Sequence, residues 1–182
     1  MLIYYYFFSV RLSNQKESRK MANQLGIRRL LEEVQKIATA GFALAFHVRF
    51  TTPTFLFQTY AKEWLDHYSQ NGFVMSDPTV AWGFENTGAI RWSELTQHDS
   101  MNVLTKAAEF GLKYGTACGI EAGESRSLGS FARADREFDA AETETLVEMM
   151  GNLHALTADV KTISPKTSAA LRTMSVQFTH SE

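Results

Sequence analysis

Aromatic side chains with polar tips surround one carboxylate in the middle of this chain. Tyr60, Trp64 and Tyr68 recur every four residues, and Asp77 and Trp92 follow them. Residues four apart lie on one face of a helix, so a helix here would bring the three aromatic side chains together. Aromatic rings with N–H, O–H and carboxylate groups suit a pocket for a small, mostly apolar ligand with a polar head. The alternative interpretation is that these side chains belong to an ordinary hydrophobic core.

Asp77 has two interpretations of its own. It is followed by Pro78, and Asp before Pro is a common helix start because the cap satisfies a free N–H and proline tolerates the first turn. In the second interpretation its carboxylate accepts an N–H from a ligand inside an apolar site. A buried carboxylate is costly unless it is hydrogen-bonded, so a partner has to be present. We do not expect one residue to do both in full.

Other groups for chemistry are scarce. The five histidines lack metal-ligand spacing, and the single cysteine, Cys118, lies inside a predicted strand, which favours an inert buried thiol. The sequence contains no phosphate-binding loop, dinucleotide-binding glycine motif or nucleophile elbow. We therefore expect a binding protein rather than an enzyme, without a metal or cofactor.

Composition sets the class of protein. The chain has 182 residues, 45% of them hydrophobic, which fits one globular domain with a substantial core. A net charge of −2 gives no electrostatic footprint for nucleic acid, so no direct DNA contact is expected. Apolar runs are too short to span a bilayer, and a single cysteine suits a reducing compartment. These features predict a cytoplasmic protein without membrane association.

The periodicity of apolar residues predicts an α+β domain. Helices are expected over 22–39, 60–69, 77–85, 102–110 and from 139 onward, and strands over 41–50, 114–120 and 127–133. Alternation in the first strand assigns Phe42, Leu44, Phe46, Val48 and Phe50 to one face and Ala43, Ala45, His47 and Arg49 to the other. This order predicts an antiparallel sheet with helices on both faces.

The two ends are expected to lie outside this domain. Residues 1–20 open on the apolar run 1–10, which lacks the features of a signal peptide, and we interpret them as an upstream extension with Met21 as the natural start. A genuine edge strand or anchor is the alternative. The ligand-binding domain is predicted over 21–162, with 163–182 as a linker or remnant tail.

The joint spacing resembles the autoinducer-binding domain of LuxR-type quorum-sensing regulators. The resemblance is carried by Tyr60-x3-Trp64-x3-Tyr68, Asp77-Pro78 and Trp92, and it covers about 22–160. The later run over 111–115, Gly-Leu-Lys-Tyr-Gly, looks like the family's Gly-Leu-x-x-Gly lead-in to its central strands. The resemblance implies an α/β/α sandwich, a layout shared with PAS- and GAF-like sensors, that encloses an N-acyl-homoserine lactone between its sheet and one helical layer.

The resemblance also implies roles for individual side chains. Carried over by position, Trp64 would donate its indole N–H to the lactone carbonyl, Asp77 would accept the ligand's amide N–H, and Tyr60 would hydrogen-bond the acyl carbonyl. Trp92 would pack on the lactone ring and Tyr68 would line the acyl pocket.

Three further positions complete the implied site. Thr79 matches a position that can assist at the ligand's amide. Ala132 falls near a position where some members carry a serine that contacts the ligand, and Ser130 takes that place if the alignment differs at the turn.

Family regulators continue into a helix-turn-helix domain, whereas this sequence stops at Glu182. We therefore expect a receptor that forms a homodimer, or a mixed dimer with a full-length LuxR-type regulator, and acts on transcription through that partner. One rival is a ligand-independent dimerisation module that antagonises such a regulator. Another is a PAS- or GAF-like sensor of a different small apolar molecule. A lactone hydrolase is the weakest, because no nucleophile or metal set supports it.

Overall fold

A five-stranded antiparallel sheet is the centre of the fold, in the order β2-β1-β5-β4-β3. The computed structural model describes residues 22–158. The strands are β1 (Gly41–Val48), β2 (Phe55–Gln58), β3 (Gly88–Arg91), β4 (Tyr114–Ala122) and β5 (Ser125–Arg133). The helices are α1 (22–37), α2 (Lys62–Gln70), α3 (Pro78–Glu85), α4 (Val103–Glu109) and α5 (Ala140–Ala158), with 3₁₀ helices over Phe73–Met75 and Trp92–His98.

Helices cover both faces of the sheet. The apolar stripes of α1 and α5 pack on one face against the large side chains of β1, with Leu31, Val34, Phe42, Phe46, Leu146 and Met150 fully buried. A capping box starts α5, because Asp139 and Glu142 each accept the other's backbone N–H. A second, aromatic cluster lies on the other face under α2 and α4. The predicted α/β/α sandwich is confirmed.

The predicted start of the aromatic helix is wrong by two residues. Helix α2 begins at Lys62, after Ala61 in an extended conformation, so Tyr60 precedes the helix. Tyr60 belongs instead to the chain that leaves β2, where its hydroxyl donates to the carbonyl of Ser130 at 2.8 Å. The sheet therefore positions Tyr60, while α2 positions Trp64 and Tyr68.

The predicted face of His47 is also wrong. His47 has a left-handed φ of 53°, and the β1–β5 register shifts between Ala45 and Val48. This irregularity reverses the alternation, so His47 follows Phe46 onto the α5 side and Val48 turns to the opposite face. Phe50, which was assigned to the same face as Phe46, is 98% exposed.

His47 lies in a polar cluster beneath the end of β1. Its Nε2 is 2.8 Å from Thr157 Oγ1 and its Nδ1 is 2.6 Å from Ser125 Oγ. The Thr157 hydroxyl donates to a helix carbonyl, so Nε2–H donates to Thr157 and Nδ1 accepts from Ser125. The ring of His154 is 4.6 Å away, and its Nδ1 bonds the hydroxyl of Ser127. The cluster is satisfied with His47 neutral.

This cluster predicts a loss of stability in mild acid. Burial, aided by the neighbouring His154, lowers the pKa of His47 from 6.5 to about 4. Because the folded-state pKa is the lower one, stability is full above about 6.5 and falls as the pH drops from about 6.5 to about 4. Burial lowers the pKa of His154 as well, so protonation of His154 also favours the unfolded chain. Thermal unfolding across this range measures the effect.

His47→Asn is the matched variant, since asparagine tolerates the left-handed conformation and does not titrate. We expect a shallower dependence of its melting temperature on pH over this window. The carboxylates of Asp135 and Glu142 have pKa values lowered from 3.8 and 4.5 to about 2, so most of their effect lies at a lower pH than that of His47. Equal slopes for the two proteins would show that His47 does not titrate on unfolding.

Candidate functional site

The sheet and the helices of its second face enclose a cavity of about 430 Å³. This volume lies in the range of small-molecule sites, about 300–1,000 Å³. Seven of the eight predicted site residues line it: Tyr60, Trp64, Tyr68, Asp77, Thr79, Trp92 and Ser130. The aromatic stretch thus faces a cavity as well as a core.

The two oxygens of the Asp77 carboxylate have different hydrogen-bond partners. Its Oδ1 accepts the backbone N–H of Thr79 at 2.8 Å and the Thr79 hydroxyl at 2.7 Å, which caps α3. Its Oδ2 accepts the Tyr68 hydroxyl at 2.9 Å. Burial raises the pKa of the Asp77 carboxyl, and the bonds from Thr79 and Tyr68 act in the opposite direction. Asp77 is therefore the predicted helix cap and also lines the cavity, because its two oxygens have different surroundings.

Trp64 and Tyr68 share one face of α2. Their rings meet edge to face with centroids 5.5 Å apart, and Phe73 and Phe110 support the indole from behind. This packing supports the Trp64 ring at the cavity wall. None of the hydrogen bonds among residues 22–158 uses the Trp64 indole N–H.

Trp92 lies flat on the backbone of β4. A Cβ added at Gly115 would come 2.1 Å from the Trp92 Cδ2 atom, so only glycine permits this contact. The Trp92 Nε1 atom is buried and lacks a hydrogen-bond partner within the described part of the chain. A buried unpaired donor costs about 1–3 kcal/mol. Both glycines of the motif over 111–115 are therefore required by the structure. Gly115 makes room for Trp92, and Gly111 adopts a left-handed φ of 87° after α4.

Ser130 and Ala132, the two candidates for the serine position, have different surroundings. Ser130 lines the cavity, and its carbonyl holds the Tyr60 hydroxyl. Ala132 is fully buried outside the lining, and its carbonyl accepts the backbone N–H of Ala40 at 3.0 Å. Of the two, Ser130 is the one at the cavity.

Sequence reasoning missed the floor of the cavity. Ala43 and Ala45 on β1 face it opposite Ser130 and Leu128 on β5, and Val48 joins them after the irregularity. The sequence did contain a signal for this floor: β1 alternates large side chains on one face with alanines on the other.

Other chemistry finds no support among residues 22–158. That part of the chain contains no His, Cys, Asp and Glu group able to hold a metal ion. Cys118 is buried in β4, and burial raises the pKa of its thiol to about 12. None of the helices in this range is both long and apolar enough to cross a bilayer.

A mostly apolar cavity with a few hydrogen-bonding groups on its wall has the form of a small-molecule binding site. The family model of the autoinducer binding domain matches residues 22–160. The chain therefore belongs to this family, the ligand-sensing domain of LuxR-type quorum-sensing regulators.

Similar proteins agree with this assignment. The chain is 32% identical over 123 residues to the transcriptional activator protein SolR of Ralstonia nicotianae, covering 64% of this chain and 52% of SolR. It thus spans about half the length of that relative. SolR is a transcriptional regulator, and the family consists of regulators rather than enzymes.

Two solved structures share the fold at 16% identity. SdiA in complex with octanoyl-rac-glycerol superposes with a TM-score of 0.58, covering 82% of this chain and 67% of that one. The N-acylhomoserine-lactone-dependent LuxR family factor CepR2 of Burkholderia cenocepacia superposes with a TM-score of 0.52, covering 76% and 94%.

Proposed function

We propose that this chain is a receptor for an N-acyl-homoserine lactone. The observation that carries the proposal is that an indole donor, a carboxylate acceptor and a phenol all line one mostly apolar cavity. Trp64 donates to the lactone carbonyl, and Asp77 Oδ2 accepts the amide N–H beside the Tyr68 bond. Tyr60 turns its hydroxyl proton from the Ser130 carbonyl, to which it donates without ligand, to the acyl carbonyl. One donor and one acceptor fix the orientation of an amide. Leaving either unpaired in a buried site costs about 1–3 kcal/mol.

Three further groups complete the proposed site. Trp92 packs on the lactone ring, and Thr79 supports the Asp77 carboxylate at the amide. Ser130 contributes its hydroxyl to the same wall. CepR2 is described as dependent on this ligand class, and the SdiA complex holds a single acyl chain on a small polar head. Both ligands have the shape that this cavity suits.

The regulatory part of the proposal concerns the partner. We propose that the receptor acts in the cytoplasm as a homodimer, or as a mixed dimer with a full-length LuxR-type regulator, and reaches DNA only through a DNA-binding domain. A dimerisation module without ligand is the rival. Pull-down of such a regulator with and without lactone separates the two, because only the receptor responds to the ligand.

The test is expression of the chain with and without a series of acyl-homoserine lactones, followed by thermal shift and mass spectrometry of retained ligand. We expect a lactone to co-purify and to raise the melting temperature, and Trp64→Phe to reduce both effects. Octanoyl-glycerol is the comparison ligand. Stabilisation by octanoyl-glycerol but not by any lactone would show that the ligand is a different single-chain amphiphile. No shift in melting temperature with either class would contradict a receptor function.

A further inference from the structure

The cavity has a closed end and an open end. Tyr60, Trp64 and Trp92 at the polar end are at most 8% exposed. Among the apolar lining residues, Val74 is 53% and Met75 is 80% exposed, and Thr51 in the β1–β2 turn is exposed as well. The lining is therefore solvent-exposed at these residues and buried at the aromatic end, and we take the exposed residues as the opening of the cavity.

Given the proposed function, we infer that the ligand carries a long acyl tail that runs along β1 and leaves the protein beside Thr51, Val74 and Met75. The receptor then discriminates against short tails but sets no sharp upper limit on tail length.

The floor of the cavity provides a track for the tail. Ala43 and Ala45 present only methyl groups on the cavity face of β1, while the large residues of that strand face the other core. Val48 continues the track because the left-handed His47 turns it to this face. The strand irregularity thus extends the apolar floor toward the β1–β2 turn.

The length of the track sets the length of the tail. The bond from Tyr60 to Ser130, which pairs with Ala43, marks the polar end, and Val48 lies five residues further along β1. At about 3.3 Å per residue this is roughly 16 Å. Carbon–carbon bonds of about 1.5 Å advance an extended chain by roughly 1.25 Å each. About a dozen carbons therefore reach the opening, and shorter tails leave part of the floor uncovered.

Binding of a homologous series tests the inference. From butanoyl through octanoyl to dodecanoyl lactone we expect affinity to rise about fourfold per methylene, the factor that corresponds to about 0.8 kcal/mol. From dodecanoyl to hexadecanoyl we expect a plateau, because the added carbons lie outside. Isothermal titration calorimetry gives both slopes.

Two variants locate the tail. Ala45→Leu narrows the track and should weaken dodecanoyl lactone by about tenfold or more while changing butanoyl lactone little. Met75→Gln should weaken the dodecanoyl ligand about fourfold and spare the butanoyl one. Met101→Gln is the matched control, since Met101 is 46% exposed but lies outside the lining, and it should change neither affinity.

The outcomes are distinguishable from those that test the receptor function. A sharp optimum at a short tail with a fall beyond it would overturn the inference while leaving the receptor intact. So would equal effects of Met75→Gln on all tail lengths. Absence of binding at every length would contradict the proposed function itself, and this inference with it.

Discussion

Asp77→Asn will weaken acyl-homoserine lactone binding by about 10- to 150-fold. A hydrogen bond to a charged group is worth about 1.5–3 kcal/mol, and about 1.4 kcal/mol is tenfold in affinity. The amide of asparagine also turns a donor toward the ligand's own N–H or toward the Tyr68 hydroxyl, which now donates to Asp77 at 2.9 Å. Calorimetric titration of the purified variant measures the loss.

The fold should survive this change because asparagine caps a helix about as well as aspartate. Asp99→Asn is the matched control: both carboxylates are 9% exposed and accept backbone N–H groups at a helix start, but Asp99 lies outside the cavity lining. We expect Asp99→Asn to leave lactone affinity unchanged. Equal loss in the two variants would show that Asp77 acts through stability and not through the ligand.

Gly115→Ala will both destabilise the fold and damage the cavity. The new Cβ meets the Trp92 indole at 2.1 Å, a distance that nonbonded carbon atoms do not adopt, so the ring has to move away from β4 toward the cavity. Overpacking of this kind costs about 1–3 kcal/mol of unfolding free energy. We expect lactone affinity to fall about tenfold or more, because the displaced indole occupies the proposed place of the lactone ring.

Denaturant unfolding and calorimetric titration measure the two effects separately. Gly151→Ala is the control, since an added Cβ in the middle of α5 meets no atom within 4 Å. It should stabilise the helix by up to about 1 kcal/mol and leave binding unchanged. If Gly115→Ala behaves like Gly151→Ala, the contact between Trp92 and β4 is not what holds the cavity wall in place.

The spacing of functional residues predicted much of the architecture. Asp77-Pro78 marked the start of α3, because helix capping depends on local chemistry. Alternation of large and small residues in β1 correctly assigned Phe42 to one face and Ala43 to the other. These signals are short-range, and the fold confirms them.

The errors occur where distant contacts override local patterns. The alternation of residues along a strand could not predict the left-handed conformation of His47, because its stabilising partners Ser125 and Thr157 are distant in sequence. Tyr60 fitted the four-residue spacing of a helix but is held by the sheet through Ser130. The open end of the cavity depends on the exposure of Met75, which no pattern in the sequence indicated. The interpretations of residues 1–20 and 163–182 concern segments outside the described residues.

The indole N–H resonances give the most direct test of the central claim. The chain has three tryptophans, of which Trp64 and Trp92 line the cavity and Trp82 does not. In a nitrogen–proton correlation spectrum, assigned by single Trp→Phe variants, adding dodecanoyl-homoserine lactone should shift the Trp64 and Trp92 signals and leave Trp82 in place. A lactone that binds without moving the Trp64 signal, or that moves only Trp82, would contradict a receptor site in this cavity.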